Sequence, residues 1–266
     1  MPPRIIRAYD WLVLEKPLTT LIAVTVIVVF FLLHIHSFEL DASADSLVLE
    51  NDASLQYYRG VRERYGSDDF LIATYSPQQP LFSKQVLADI TRLRDELASL
   101  EQVASVVSML DVPLVDSPPM TLGEISRNIR TMESDDVDFE LAEQELRQSP
   151  LYNNLLVNSE GDTTALQINL VVNRKLLDLL NNRDKLYPKA TQNPDSRARL
   201  DELSAEIKIE NLAHKIRIDQ TIAEVRKIMD GYRDRAVLYL GGVPMITSDS
   251  IAFIRSDLKV FGVGVI

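Results

Sequence analysis

The chain has no cysteine, only three histidines and a single tryptophan among its 266 residues. Without thiols there is no disulfide framework, no thiolate metal site and no cysteine nucleophile, and the compartment stays open, because a disulfide-free protein lives on either side of a membrane. Three histidines make a histidine-built metal centre improbable, and no cofactor is expected. Basic charge is also scarce: 28 lysines and arginines face 39 acidic residues, a formal net charge of -11. No basic stripe is visible, so no nucleic-acid partner is expected, since neutralising phosphates needs one. With 46% hydrophobic residues the chain can still build a sizeable core.

Charge is missing altogether from Pro17 to Phe38, and "LTTLIAVTVIVVFFLLHI" within that run approaches the ~20 residues of a membrane span. Residues 17–38 are therefore expected to form a first transmembrane helix after a cytoplasmic leader, residues 1–16. Arg4, Arg7 and Lys16 precede the run, whereas Glu39, Asp41, Asp45, Glu50 and Asp52 follow it, so the positive-inside rule puts the N-terminus in the cytoplasm and the bulk of the chain outside. A cleaved signal peptide is the alternative, with "ASA" at Ala42 to Ala44 as its cleavage site, but the apolar run is longer than the usual h-region. Tyr9 and Trp11 in "YDWLVLEKP" suit a headgroup layer.

Residues 39–245 read as one α+β domain. "DFLIATYS" (Asp69 to Ser76) has strand composition and stops at Pro77. Ser83 caps a helix whose stripe is Val86, Ile90, Leu93, Leu97 and Leu100. "VASVVSML" (Val103 to Leu110) gives a second strand. Residues 111–150 are an expected insertion with helical pieces around Leu122 to Met132 and Phe139 to Leu146. "LYNNLLV" and "TTALQINLVV" flank the turn residues Gly161 and Asp162 as a hairpin. Residues 174–203 are a second expected insertion, polar and exposed near Asn181 to Leu203. A long helix follows from about Leu200 to Met229, with Gly231 as its C-cap, and "AVLYLGG" is the last strand. With the insertion and the hairpin's first arm set aside, the order is β-α-β-β-α-β, which predicts a ferredoxin-like split β-α-β sandwich whose two helices cover one face of an antiparallel sheet.

Residues 246–266 predict an amphipathic helix with Ile251, Ile254, Leu258, Phe261 and Val265 at helical spacing. After Lys259 it is wholly apolar, so it is expected to be the truncated start of a second transmembrane helix, and the sequence is expected to be a fragment.

Motifs for catalysis are weak, and no enzyme is expected. Ser256 and Lys259 match S-x-x-K, yet the partner motifs of acyl-serine enzymes are missing. His34 and His36 bracket the outer end of the apolar run, where interfacial imidazoles are the simpler reading than a metal site. Asn211 and His214 interrupt the long helix's stripe, a local kink or a solvent-exposed stretch. The acidic segment "ELDASADSLVLENDAS" lacks the one-three-five spacing and the glycine of a calcium loop. "YLGGVPMI" is the most informative piece: a strand runs into Gly241 and Gly242, and Pro244 opens a helix, so these three residues form a candidate hinge.

The apolar run behind a basic leader, "LDASADSLVLENDASLQYYRGVRERYGSDDFLIATY", "SPLYNNLLVNSEGDTTALQINL" and "LYLGGVPMITSDSIAFIRSDLKVFGVGVI" occur in that order. In this respect the chain resembles the first part of an RND-superfamily exporter of the MMPL type, the group that includes hopanoid-transporter-like proteins. The resemblance implies a first transmembrane helix, an extracytoplasmic porter domain and the start of a second helix, in the cytoplasmic (inner) membrane of a multi-pass parent. It implies proton-driven export of hydrophobic or lipid-like molecules, with the bilayer, the substrate and the remainder of the transporter as partners. The family's proton-relaying acids lie on later helices, outside this sequence. The input half of a two-span sensor or chemoreceptor shares the same layout, and a singly anchored structural protein is a third possibility.

Overall fold

The computed structural model describes residues 10–34, 57, 69–117, 119, 129–190 and 193–264. It divides into two compact units, Met1–Ser46 and Leu47–Ile266.

In the first unit a π-helical turn, Asp10–Glu15, is followed by helix α1, Pro17–Leu33. Pro17 occupies the helix's first position, where its missing N–H leaves nothing unpaired. Lys16 Nζ lies 4.8 Å from the centre of the Trp11 ring, a cation–π contact just ahead of α1. The threonine hydroxyls on α1 turn back onto its own backbone: Thr19 donates to the Lys16 carbonyl and Thr25 to the Leu21 carbonyl, both at 2.8 Å. The surface of α1 is consequently apolar in every direction, with Leu18, Leu21, Ile22, Val24, Phe30 and Phe31 all exposed. Among the described residues no helix is long and apolar enough to cross a membrane. The 17 residues of α1 span about 26 Å, and residues 35–38 of the expected span lie outside the described residues.

The second unit is an α+β domain on a four-stranded antiparallel sheet. Its elements are β1 (Phe70–Pro77), α2 (Lys84–Ala98), β2 (Val103–Val107), α3 (Phe139–Gln148), β3 (Thr164–Leu170), α4 (Arg174–Ala190), α5 (Pro194–Asp230), β4 (Ala236–Gly241) and α6 (Val243–Gly264). The sheet order is β2-β3-β1-β4, every neighbouring pair antiparallel. β1 and β2 therefore run the same way on either side of β3, which is the split β-α-β arrangement that the strand and helix order predicts.

Alternation along the strands decides which face is buried. Leu71, Ala73 and Tyr75 of β1, Leu166, Ile168 and Leu170 of β3, and Ala236 and Leu238 of β4 share one core with Val86, Ile90, Leu93 and Leu97 of α2 and Ile222, Val225 and Met229 of α5. Ser83 caps α2 as expected, its Oγ accepting from Val86 N. Asp89 is 3% exposed and accepts from Arg92 and, at 2.8 Å, from Arg235, which fastens the start of β4 to α2.

Buried charge organises the segment between β2 and β3, where the sequence reading expects an insertion. Glu145 of α3 accepts hydrogen bonds from Val115 N (2.7 Å), Asp116 N (3.0 Å) and Ser117 Oγ (2.6 Å). Arg94 of α2 pairs with Asp111 at 2.6 Å and Glu133 at 2.9 Å, so the insertion is pinned to the sandwich. The helix expected around Leu122 to Met132 falls mostly on residues 120–128, outside the described residues; Arg130 instead forms a bridge with Leu114. The expected hairpin is reduced to isolated bridges, Asn153 with Val157 and Val157 with Thr164. Asn154 adopts a φ of 58° and its side chain accepts from Ser159. This turn chemistry breaks the first arm of the hairpin.

Residues 174–190 and 194–203 are helical: they form α4 and the first turns of α5. Leu176, Leu177, Leu179 and Leu180 supply helical spacing at the start of α4, and Asn193 caps α5 with Pro194 at its first position. Glu210 joins the two helices, accepting from Lys175 Nζ (2.9 Å), Asn173 Nδ2 (3.0 Å) and Arg217 Nη2 (3.0 Å). These donors hold its carboxyl well below the usual range, at about 2.

Candidate functional site

The face of the sheet turned away from α2 and α5 is open. Its residues follow from register: Thr74 lies opposite both Ala165 and Tyr239, Ile72 opposite Gln167, and Asn169 opposite both Phe70 and Ser105. Two chemically distinct halves result. Over β1 and β4 the surface is apolar, with Ile72 37%, Val237 52% and Tyr239 68% exposed. Over β2 and β3 it is an amide ladder, in which Gln167 Nε2 donates to Asn169 Oδ1 at 2.8 Å and Asn169 Nδ2 donates to Ser105 Oγ at 2.9 Å. An apolar strip beside oriented amide and hydroxyl groups can take an amphipathic molecule lengthwise, tail on one half and polar end on the other.

At the edge of this face lies the corner formed by the candidate hinge. Gly241 ends β4, paired with Ile72, and Pro244 is the second residue of α6. The corner is thus a single residue, Gly242, with a φ of +124°. A β-carbon on Gly242 would stand 2.6 Å from the Phe70 carbonyl oxygen and 3.1 Å from Leu71 Cα, whereas one on Gly241 would meet nothing closer than 3.9 Å. Only Gly242 is required to be glycine, and the requirement is close approach to β1 as well as backbone conformation.

Other sequence candidates do not gather into a site. His34 Nδ1 sits 2.8 Å from the Phe30 carbonyl and its ring stacks on Phe30, so it finishes the last turn of α1. His36 and the acidic segment after it lie outside the described residues. Asn211 is exposed and His214 half-buried within a continuous α5. Ser256 and Lys259 are both exposed on α6. Among the described residues no group of three or more histidine, cysteine or acidic side chains is placed to hold a metal ion.

The sheet face was not singled out from sequence, although alternation in "FLIATYS" and "AVLYLG" carries its signal: Ile72, Val237 and Tyr239 are apolar at positions opposite to the core-facing set. Arg226 and Asp249 were missed as well, because nothing in sequence links residues 23 positions apart; the structure joins them at 2.7 Å. Comparison with protein-family models and with curated proteins finds no match to this chain.

Proposed function

We propose that the chain is the N-terminal part of a proton-driven membrane exporter of the RND superfamily, MMPL type, which moves hydrophobic or lipid-like molecules. On this reading residues 17–38 are a membrane segment, α6 begins another, and the α+β domain stands outside the cytoplasmic membrane as a porter domain. The observation that carries the reading is the adjacency of β1 and β4. The first strand of the sheet starts at Phe70 and the chain leaves the sheet at Gly242, and the Ile72 to Gly241 pairing sets those two points side by side at one end of it. A domain held between two segments of the same bilayer needs that geometry, and the lopsided charge around residues 17–38 gives its orientation. The open sheet face supplies a surface for an amphipathic substrate.

A two-span sensor needs the same adjacency, and the hold that the domain has on the start of α6 suits it too. Export separates the readings. In cells lacking the parent gene, efflux of a fluorescent long-chain amphiphile is measured after complementation with the wild-type gene or with Ile72→Asp or Tyr239→Asp. Restored efflux that stops when a protonophore is added, and weaker efflux with either substitution, is the expected outcome. Efflux unaffected by loss of the gene would overturn the proposal.

A further inference from the structure

α6 does not hang from β4 by Gly242 alone. Met245 packs against the main core, and one turn later Asp249 Oδ2 accepts from Arg226 Nη2 of α5 at 2.7 Å. Ile251 is 4% exposed although it lies about 200° round the helix from Asp249. The first nine residues of α6, Val243 to Ile251, are therefore held on two faces. Past Ile251 the hold stops: Phe253, Leu258, Val260 and Phe261 are all exposed.

α5 makes this grip consequential. It is one helix of 37 residues whose last turns lie in the sandwich core and whose earlier turns are tied to α4 through Glu210. Arg226 sits near its C-terminal end. A displacement of α6 that Arg226 resists is passed into α5, and α5 is bonded to α4.

We infer that α5 and α6 form one mechanical body latched by the Arg226–Asp249 pair, so that movement of the exposed half of α6 is delivered to the α4–α5 helix pair. The corner at Gly242 is then a fixed point and the latch is the part that can open. This inference concerns the fold and does not depend on what the protein exports.

The absence of native cysteine allows a direct test on the full chain in detergent micelles. Spin labels are placed at Asp201→Cys on α5 and Ser256→Cys on α6, and the distribution of distances between them is measured. The latched helices give one narrow distribution; Asp249→Asn broadens it at least about two-fold, the behaviour of a local opening, and the exchanged pair Arg226→Asp with Asp249→Arg narrows it again. A control pair on the sheet, Gln167→Cys with Val237→Cys, keeps its width throughout. A distribution unchanged by Asp249→Asn would overturn the latch, as would an equal broadening of the control pair, which would mean that the whole domain had loosened.

Discussion

Gly242 and the Phe70 carbonyl approach so closely that a β-carbon on the glycine would stand 2.6 Å from the oxygen. This contact joins the first residue of β1 to the residue linking β4 and α6, and it turns the glycine pair from a flexible joint into a tight seam. Gly242→Ala is expected to destabilise the domain by about 1 to 3 kcal/mol from its positive φ, with more added by the backbone clash. Gly161 also has a positive φ, but its nearest obstacle is the Arg147 side chain, which can swing away. Gly161→Ala should therefore lower stability by only about 1 kcal/mol. Urea midpoints of the two variants, measured side by side, check the order.

Glu145 offers a second test. One buried carboxylate serves three donors in the segment 115–117, and Glu145→Gln turns one acceptor into a donor facing donors. A loss of about 2 kcal/mol is expected, with proteolysis in the 111–150 insertion faster than in the wild type while the sheet is cut no faster. Equal cleavage of Glu145→Gln and the wild type would show that the insertion is held by its apolar contacts instead.

The α4–α5 pair is expected to respond to acid. Hydrogen bonds from Lys175, Asn173 and Arg217 depress the Glu210 pKa to about 2 from an ordinary 4.5. A depressed carboxyl pKa contributes stability that is complete above the unfolded value and is lost as pH falls through the folded one. The helix pair should hold its hydrogen-exchange protection down to about pH 4.5 and lose it progressively toward pH 2. Glu210→Gln should remove that dependence and lower protection at neutral pH.

Much of the sandwich was legible in the sequence because burial imposes a period. Leu71, Ala73 and Tyr75 alternate, Val86, Ile90, Leu93 and Leu97 recur at helical spacing, and Ser83 marks a start that the structure confirms. The helices of the segment 174–203 were less legible for an equally physical reason. Its polar residues and two prolines outweigh a short leucine cluster in any local reading, yet Pro194 opens α5, where proline is tolerated, and Pro188 comes only in the last turn of α4. Contacts between distant residues carried no local signal. Glu145, Glu210 and the Arg226–Asp249 pair act through partners up to 37 positions away, and a single sequence does not announce them. The glycine pair stands out in the sequence, but the tightness at Gly242 depends on Phe70, which only the folded sheet brings near.

The most direct measurement of the central claim, that an amphipathic molecule meets the open sheet face outside the membrane, is the rate of thiol modification at Tyr239→Cys in intact cells. Tyr239 is 68% exposed on that face, and Ser159→Cys, in an exposed turn away from the strands, serves as reference. A membrane-impermeant reagent should label both positions without permeabilising the cells. A single-chain phosphocholine amphiphile below its micelle concentration should slow labelling at Tyr239→Cys and leave Ser159→Cys unchanged. Labelling at Tyr239→Cys that requires permeabilised cells, or that the amphiphile does not slow, would contradict the account.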